Sequence, residues 1–180
     1  MKTPRANRGI SLIELMTTIS ALAISLTFGV PTFNTVRATI QRGQVAGELI
    51  SSLTLARSEA ARRGVPVSVC AAAADAATCA TASAPSWLGG WIVFSDLQGD
   101  GDRVINGTDE ILHRAAFDRP AFSLAPAPHS TAIAKGVTFR GTGFPVQTGT
   151  FRYCDSKATQ DLELNLIGRV EIIDTDHGCP

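Results

Sequence analysis

The 180-residue chain lacks the local signatures of most enzyme classes. It has no GxxxxGK loop for phosphate, no HExxH pair for zinc and no GxSxG nucleophile elbow. No CxxC appears either, and the three histidines, His113, His129 and His177, are scattered, which argues against a zinc site. Catalysis therefore finds no support, and no cofactor or metal is expected. Charge is the other absence. From Leu15 through Val36 no residue is ionisable, a run of 22 residues that is long enough to cross a hydrocarbon core of about 30 Å as a helix.

What is present surrounds that run asymmetrically. Lys2, Arg5 and Arg8 precede Gly9 with no acid among them, whereas from Pro66 onward 8 Lys and Arg stand against 13 Asp and Glu. The formal charge of zero hides an acidic body. A basic flank before an apolar stretch also describes a secretory signal, but the weak cleavage choices, such as Ala21 to Ala23, fall inside the run. The flank should stay cytoplasmic and the remainder should lie outside. Against this background Glu14 is conspicuous: an ionised carboxylate in lipid costs roughly 2.5 to 3.5 kcal/mol at a helix centre, so it calls for a partner. None stands beside it in its own helix. The bland alternative places Glu14 at the interface, facing headgroup water.

Helical spacing continues past the uncharged run. Ala46, Leu49, Ile50, Leu53, Ala56 and Ala60 recur three and four apart, with Arg57, Arg62 and Arg63 mostly off that stripe. Gly64 before Val65-Pro66 is the expected stop, and Gly29 with Pro31 is the expected weak point or kink. Such a helix is longer than a membrane is thick, so its second half must leave the lipid. After Pro66 the pattern changes to short runs broken by Gly, Pro and Asp: VPVSVC, GWIVFSD, EILHRAA, AFSLAP, GVTFRG, TFRYCD, DLELNL and GRVEII. These predict seven or eight strands of an all-β unit, with residues 125–136 as a loop.

Two constellations need weighing. DLQGDGD, Asp96 to Asp102, partly matches a calcium loop, yet its twelfth position is Gly107 rather than Glu and a strand precedes it. A polar hairpin loop explains its Asp and Gly as well. Cys70, Cys79, Cys154 and Cys179 form an even set suited to an oxidising compartment, and three pairings exist. Cys70 with Cys79 and Cys154 with Cys179 is the favoured one, since each bridge then pins one irregular segment.

The segment RG-ISLIEL resembles the leader of type IV prepilins: a basic leader ending in Gly9, then Glu at the fifth position after it and Pro31 at the twenty-second. Ile10 departs from the Phe usual at the first position. Further on, LISSLTLARSEAARRGVPVSVC, GWIVFSDLQGDGD, GVTFRGTGFP and GRVEI resemble the GspH/FimT family of minor pilins and type II secretion pseudopilins, over nearly the whole chain. The resemblance implies an α+β, pilin-like fold: a long N-terminal α-helix, transmembrane in its first half, packed on a C-terminal antiparallel β-sandwich. It implies a leader over residues 1–9, the helix over 10–64 with 10–33 in the membrane, and a periplasmic domain over 65–180. It also implies that a prepilin peptidase cuts after Gly9 and N-methylates Ile10, and that Glu14 pairs with the new amine of a neighbouring pilin subunit. The inner membrane and then a pilus or pseudopilus are the implied locations.

The implied role is structural, a minor pilin that helps prime or assemble a type IV pilus. ARSEAARRG and the cysteine near the C-terminus favour this over the alternative, a type II secretion pseudopilin. Some FimT proteins bind DNA through a C-terminal GRxR motif. Here Gly168 and Arg169 match, but Glu171 replaces the second Arg, so Arg169 alone is the candidate nucleic-acid contact. One Arg among three acids is poor chemistry for a polyanion.

Overall fold

The computed structural model describes residues 9–82, 85–97, 104–117, 122–155 and 159–175, apart from the side chains of 26–35, 38 and 174. The chain divides into two compact units, Met1–Gly43 and Gln44–Pro180. One helix, α1 (Leu12–Arg63), contributes to both. Gly29 and Pro31, the expected weak point, lie within it rather than at an end.

In the first unit nearly everything apolar is exposed, Ile10 before α1 and Leu12, Ile13, Leu15, Met16, Ile19, Leu22 and Ile24 in its described part. Among the described residues no helix is long and apolar enough to cross a membrane. The uncharged run expected to do so passes through residues 26–35, whose side chains lie outside the described set.

The second unit begins where the stripe read from the sequence begins to be covered. Ala46, Leu49, Leu53, Ala56 and Ala60 are buried and Ile50 is half-buried against the same core, at the three- and four-residue spacing that puts them on one helix face, and Val45 joins them. The helix stops at Gly64, whose φ of +70° suits glycine and whose N–H still reaches the Ala60 carbonyl at 2.9 Å.

Eight strands follow: β1 (Val67–Ala71), β2 (Trp91–Ser95), β3 (Glu110–Ala115), β4 (Ser123–Pro126), β5 (Gly136–Phe139), β6 (Gly149–Cys154), β7 (Thr159–Leu164) and β8 (Val170–Thr175). Each overlaps one of the eight runs picked out by alternation and turn residues, although β1, β6, β7 and β8 reach one or two residues beyond theirs. They form two antiparallel four-stranded sheets, ordered β3-β2-β1-β5 and β4-β6-β7-β8. The expected loop at 125–136 holds more structure than its composition suggested. It contains the end of β4 and a 3-10 turn, Thr131–Ile133, because Ile133 is fully buried and anchors it.

The main core draws on the helix stripe, on Val67, Val69, Trp91 and Val93 of the first sheet, and on Leu124, Phe151, Tyr153, Leu162 and Leu164 of the second. Its polar edges are matched: the Trp91 indole N–H donates to Ser52 Oγ at 2.8 Å, and that of Trp87 to the Ala134 carbonyl at 3.2 Å. The other face of the first sheet is covered too. Cys70, Cys79, Ile92 and Phe94 make a smaller cluster, with Ala72, Ile105 and Ile111 packed against it, which is why all five residues of β1 and of β2 are buried. The Cys70–Cys79 disulfide sits in this cluster and closes the alanine-rich segment. Asp75 holds that segment's turn by accepting from the N–H of Ala77 and of Thr78 at 2.9 and 3.1 Å. Those backbone donors hold its carboxyl below the usual range.

Candidate assembly and processing site

The residues expected to carry processing and assembly fall in the first unit. Gly9 precedes the helix, and a Cβ placed on it would meet nothing within 4 Å. Ile10 is 76% exposed. Glu14 occupies the first helical turn, where a negative charge complements the unpaired N–H groups of the helix start. Its side chain is exposed.

Four hydroxyls of the described N-terminal part of α1 are satisfied within the helix. Thr17 donates to the Glu14 carbonyl at 3.0 Å, Thr18 to that of Leu15 at 2.8 Å, Ser20 to that of Met16 at 2.8 Å and Ser25 to that of Ala21 at 2.9 Å. Back-bonding of this kind leaves no hydroxyl proton seeking water, so these residues can enter an apolar environment. Composition concealed this, since Thr and Ser count as polar. Glu14 remains the exposed carboxylate among these described side chains.

In the second unit two of the sequence motifs meet. Arg57, from ARSEAARRG, donates to the Gly168 carbonyl of the GRVE turn at 3.3 Å. Gly168 has φ +76°, and a Cβ there would stand 3.2 Å from Arg57 Cδ and 3.3 Å from Phe139. Gly141 approaches the helix end still more closely, for a Cβ on it would lie 2.4 Å from the Gly64 carbonyl oxygen. The glycines of GVTFRGTGFP and GRVE thus let two loops close on the last turns of α1. Residues of these family-like motifs meet here as packing contacts.

Arg169, the candidate nucleic-acid contact, projects from the same turn. The turn is organised by Asn165, whose Oδ1 accepts from the N–H of Ile167 and Arg169 at 3.1 and 2.9 Å. Arg169 Nε stands 3.3 Å from Glu171 Oε1, the residue that replaces the second arginine of the motif. Arg62 and Arg63 are also engaged. Both bond Glu59, Arg63 at 2.6 Å, and Arg63 also bonds Glu110 on β3. The guanidinium of Arg62, then that of Arg63, holds the Glu59 carboxyl down to about 2.

The remaining expectations divide. Cys70–Cys79 is formed, whereas Cys179, the expected partner of Cys154, lies outside the described residues. Of the acidic loop, residues 98–102 also lie outside them. Asp109 beyond it behaves as a hairpin clamp, accepting from the N–H of Leu97 and of Asn106, each at 3.0 Å. No group of His, Cys, Asp and Glu able to hold a metal occurs among the described residues. Two features escaped the sequence altogether. Glu48 on α1 meets His113 on β3 at 2.7 Å, and Arg152 on β6 pairs with Asp161 on β7 through two bonds of 2.8 Å. Glu48 and His113 stand 65 residues apart, beyond any local pattern, and Arg152 meets Asp161 only through the register in which β6 pairs with β7.

Comparison with known proteins agrees with this architecture. The crystal structure of the type IV minor pilin FimU from Pseudomonas aeruginosa strain PAO1, in space group P21, is similar with a TM-score of 0.52 at 20% identity, covering 77% of this chain and 91% of that one. A second crystal form of FimU, P65, gives 0.47 at 20% identity over 72% and 90%. No curated protein matches the sequence. At such identity the likeness concerns the fold, which is α+β and pilin-like. The family model described as type II transport protein GspH matches residues 45–168, from the start of the buried helix stripe to the glycine beneath Arg57, and the chain belongs to that family.

Proposed function

We propose that this chain is a structural subunit of a type IV pilus, a minor pilin that helps prime or assemble the filament. The observation that carries the reading is the contrast within α1. Its second half is consumed by the core, while its first half exposes apolar side chains around one carboxylate. In this reading a prepilin peptidase removes residues 1–9 by cutting after Gly9 and N-methylates Ile10. The helix over 10–33 is stored in the inner membrane with residues 65–180 in the periplasm. Glu14 then pairs with the α-amine of a neighbouring subunit, which gives its charge the partner that an apolar setting demands. Pro31 is the proposed kink, and Cys154–Cys179 the proposed second bridge of the periplasmic part.

The Glu14→Val variant tests the assembly contact. It should be made and inserted as well as the wild type, yet be missing from sheared filaments. Normal incorporation would mean that the charge serves only the interface. Intact mass of assembled subunits checks the processing step, since residues 1–9 should be gone and Ile10 should carry a methyl group.

A second reading is supported by the family's own description as a type II transport protein: a pseudopilin of a secretion system. Deleting the gene and assaying twitching and exoprotein release side by side separates the two. DNA binding through Arg169 is the weakest reading, because Glu171 beside it offers a competing partner at 3.3 Å.

A further inference from the structure

We propose that Asn106–Gly107 is a site of spontaneous covalent modification, at which the asparagine side chain cyclises onto the following backbone nitrogen and hydrolyses to aspartate and isoaspartate. Asn106 opens the turn that leads into β3, with the Asp109 N–H donating to its carbonyl at 3.1 Å. Its Oδ1 accepts from the Thr108 hydroxyl at 3.1 Å and faces the Thr108 N–H at 3.5 Å. Both contacts close rings that contain the Gly107 backbone. Among the described residues no hydrogen bond engages the Gly107 N–H, and the residue is exposed with open space around its Cα.

The chemistry needs only water. Once a water or hydroxide removes its proton, the Gly107 nitrogen attacks Asn106 Cγ and a C–N bond forms. The Thr108 hydroxyl, already bonded to Oδ1, stabilises the negative charge that builds there. Collapse breaks the Cγ–Nδ2 bond, and Nδ2 leaves as ammonia after taking a proton from water. Water then opens the succinimide at either carbonyl, giving Asp or isoAsp. Glycine matters at the second position because no Cβ hinders the approach of its nitrogen.

The consequence is local. Asp109 uses both carboxylate oxygens to tie Leu97 and Asn106 together, and so closes the β2–β3 connection. A new carboxylate at 106 stands beside that clamp, and isoAsp adds a backbone carbon inside it. The turn should loosen while the buried strands remain as they are.

Asn165 provides an internal control, because its Oδ1 is likewise held in a turn, there by two backbone N–H groups, but Leu166 follows it. The purified full chain, held at mildly alkaline pH, should exchange NH2 for OH at Asn106 and not at Asn165, as read by peptide mass. An isoaspartyl methyltransferase should label the same peptide. Thr108→Val and Gly107→Ala should each slow the conversion roughly tenfold, equivalent to about 1.4 kcal/mol of barrier, and Thr108→Ser should restore it. Amide exchange at Leu97 should quicken in converted protein. The proposal is overturned if Asn106 survives as long as Asn165, or if Thr108→Val converts as fast as the wild type. It is also overturned if Asn106 instead carries a sugar on Nδ2, which the Asn-Gly-Thr triplet would equally permit.

Discussion

The two halves of α1 use similar residues to opposite ends. From Val45 to Ala60 the apolar side chains lie on one face and are covered, down to 0% exposure at Leu49, Ala56 and Ala60. From Ile10 to Ile24 they surround the helix and stay open, with Leu12 at 76% and Leu22 at 62%. A helix that is apolar all round has no single face to give to its own domain, so it is suited to surroundings supplied from outside. The difference lies in patterning rather than in hydrophobicity. The second half places Glu48, Arg57, Glu59 and Arg63 where they meet β3, the GRVE turn or each other, whereas from Ile10 to Ile24 the one charged residue is Glu14.

Truncation in each region breaks this comparison most directly. Phe151→Ala removes a ring packed edge-on to Trp87 with centroids 4.8 Å apart, and should cost about 3 to 5 kcal/mol in denaturant unfolding. Ile19→Ala should leave that same transition unchanged and show itself only in filament incorporation. An equal loss of stability from both would mean that the two regions do not differ as described.

A smaller effect is expected in the disulfide-closed segment. Ala76 has φ 51°, a region that penalises any Cβ, and no other described non-glycine residue has a positive φ. Ala76→Gly should therefore raise stability by about 0.5 to 1 kcal/mol net of the added freedom of the unfolded chain, seen as a higher Tm. A lower Tm would show that the segment gains nothing from relief at this position.

The smallest effect concerns the charges at the end of the helix. Glu59 falls from an ordinary value of 4.5 to about 2 when folded, so its contribution is fully present above about 4.5 and is lost as the pH drops through about 2. The Tm gap between wild type and Glu59→Gln should be constant above pH 4.5, shrink below it and close near pH 2. The exposure of Arg62 and screening by salt keep the gap small. A gap independent of pH would assign the effect of the substitution to something other than this carboxylate.

Much of the fold was legible in advance for identifiable reasons. The helix stripe announced itself because Leu49, Leu53, Ala56 and Ala60 follow the helical period, and the stop at Gly64 because its φ of +70° is one glycine readily adopts. The eight strands were visible because each is short, β-rich and bounded by turn residues. The loop at 125–136 was misread in part, since one buried side chain, Ile133, outweighs a Pro- and Ala-rich composition that has no strong preference of its own. Of the candidate site, Glu14 stood out as a charge without a local partner. The role of Gly168 did not, because a glycine motif reads the same whether its backbone meets a ligand or, as here, Arg57 and Phe139.

The sequence by itself determined which segments become helix or strand, where the uncharged run lies and which carboxylate interrupts it. These are properties of period, local conformational preference and charge order along the chain. Only the tertiary structure decided that β1 joins β2 and β5 while β6 joins β4 and β7, that Arg57 fastens the GRVE turn, and that the Cys70–Cys79 bridge lies in a second, smaller core. Such pairings link residues far apart in sequence, and their energy exists only once both partners have been brought into contact.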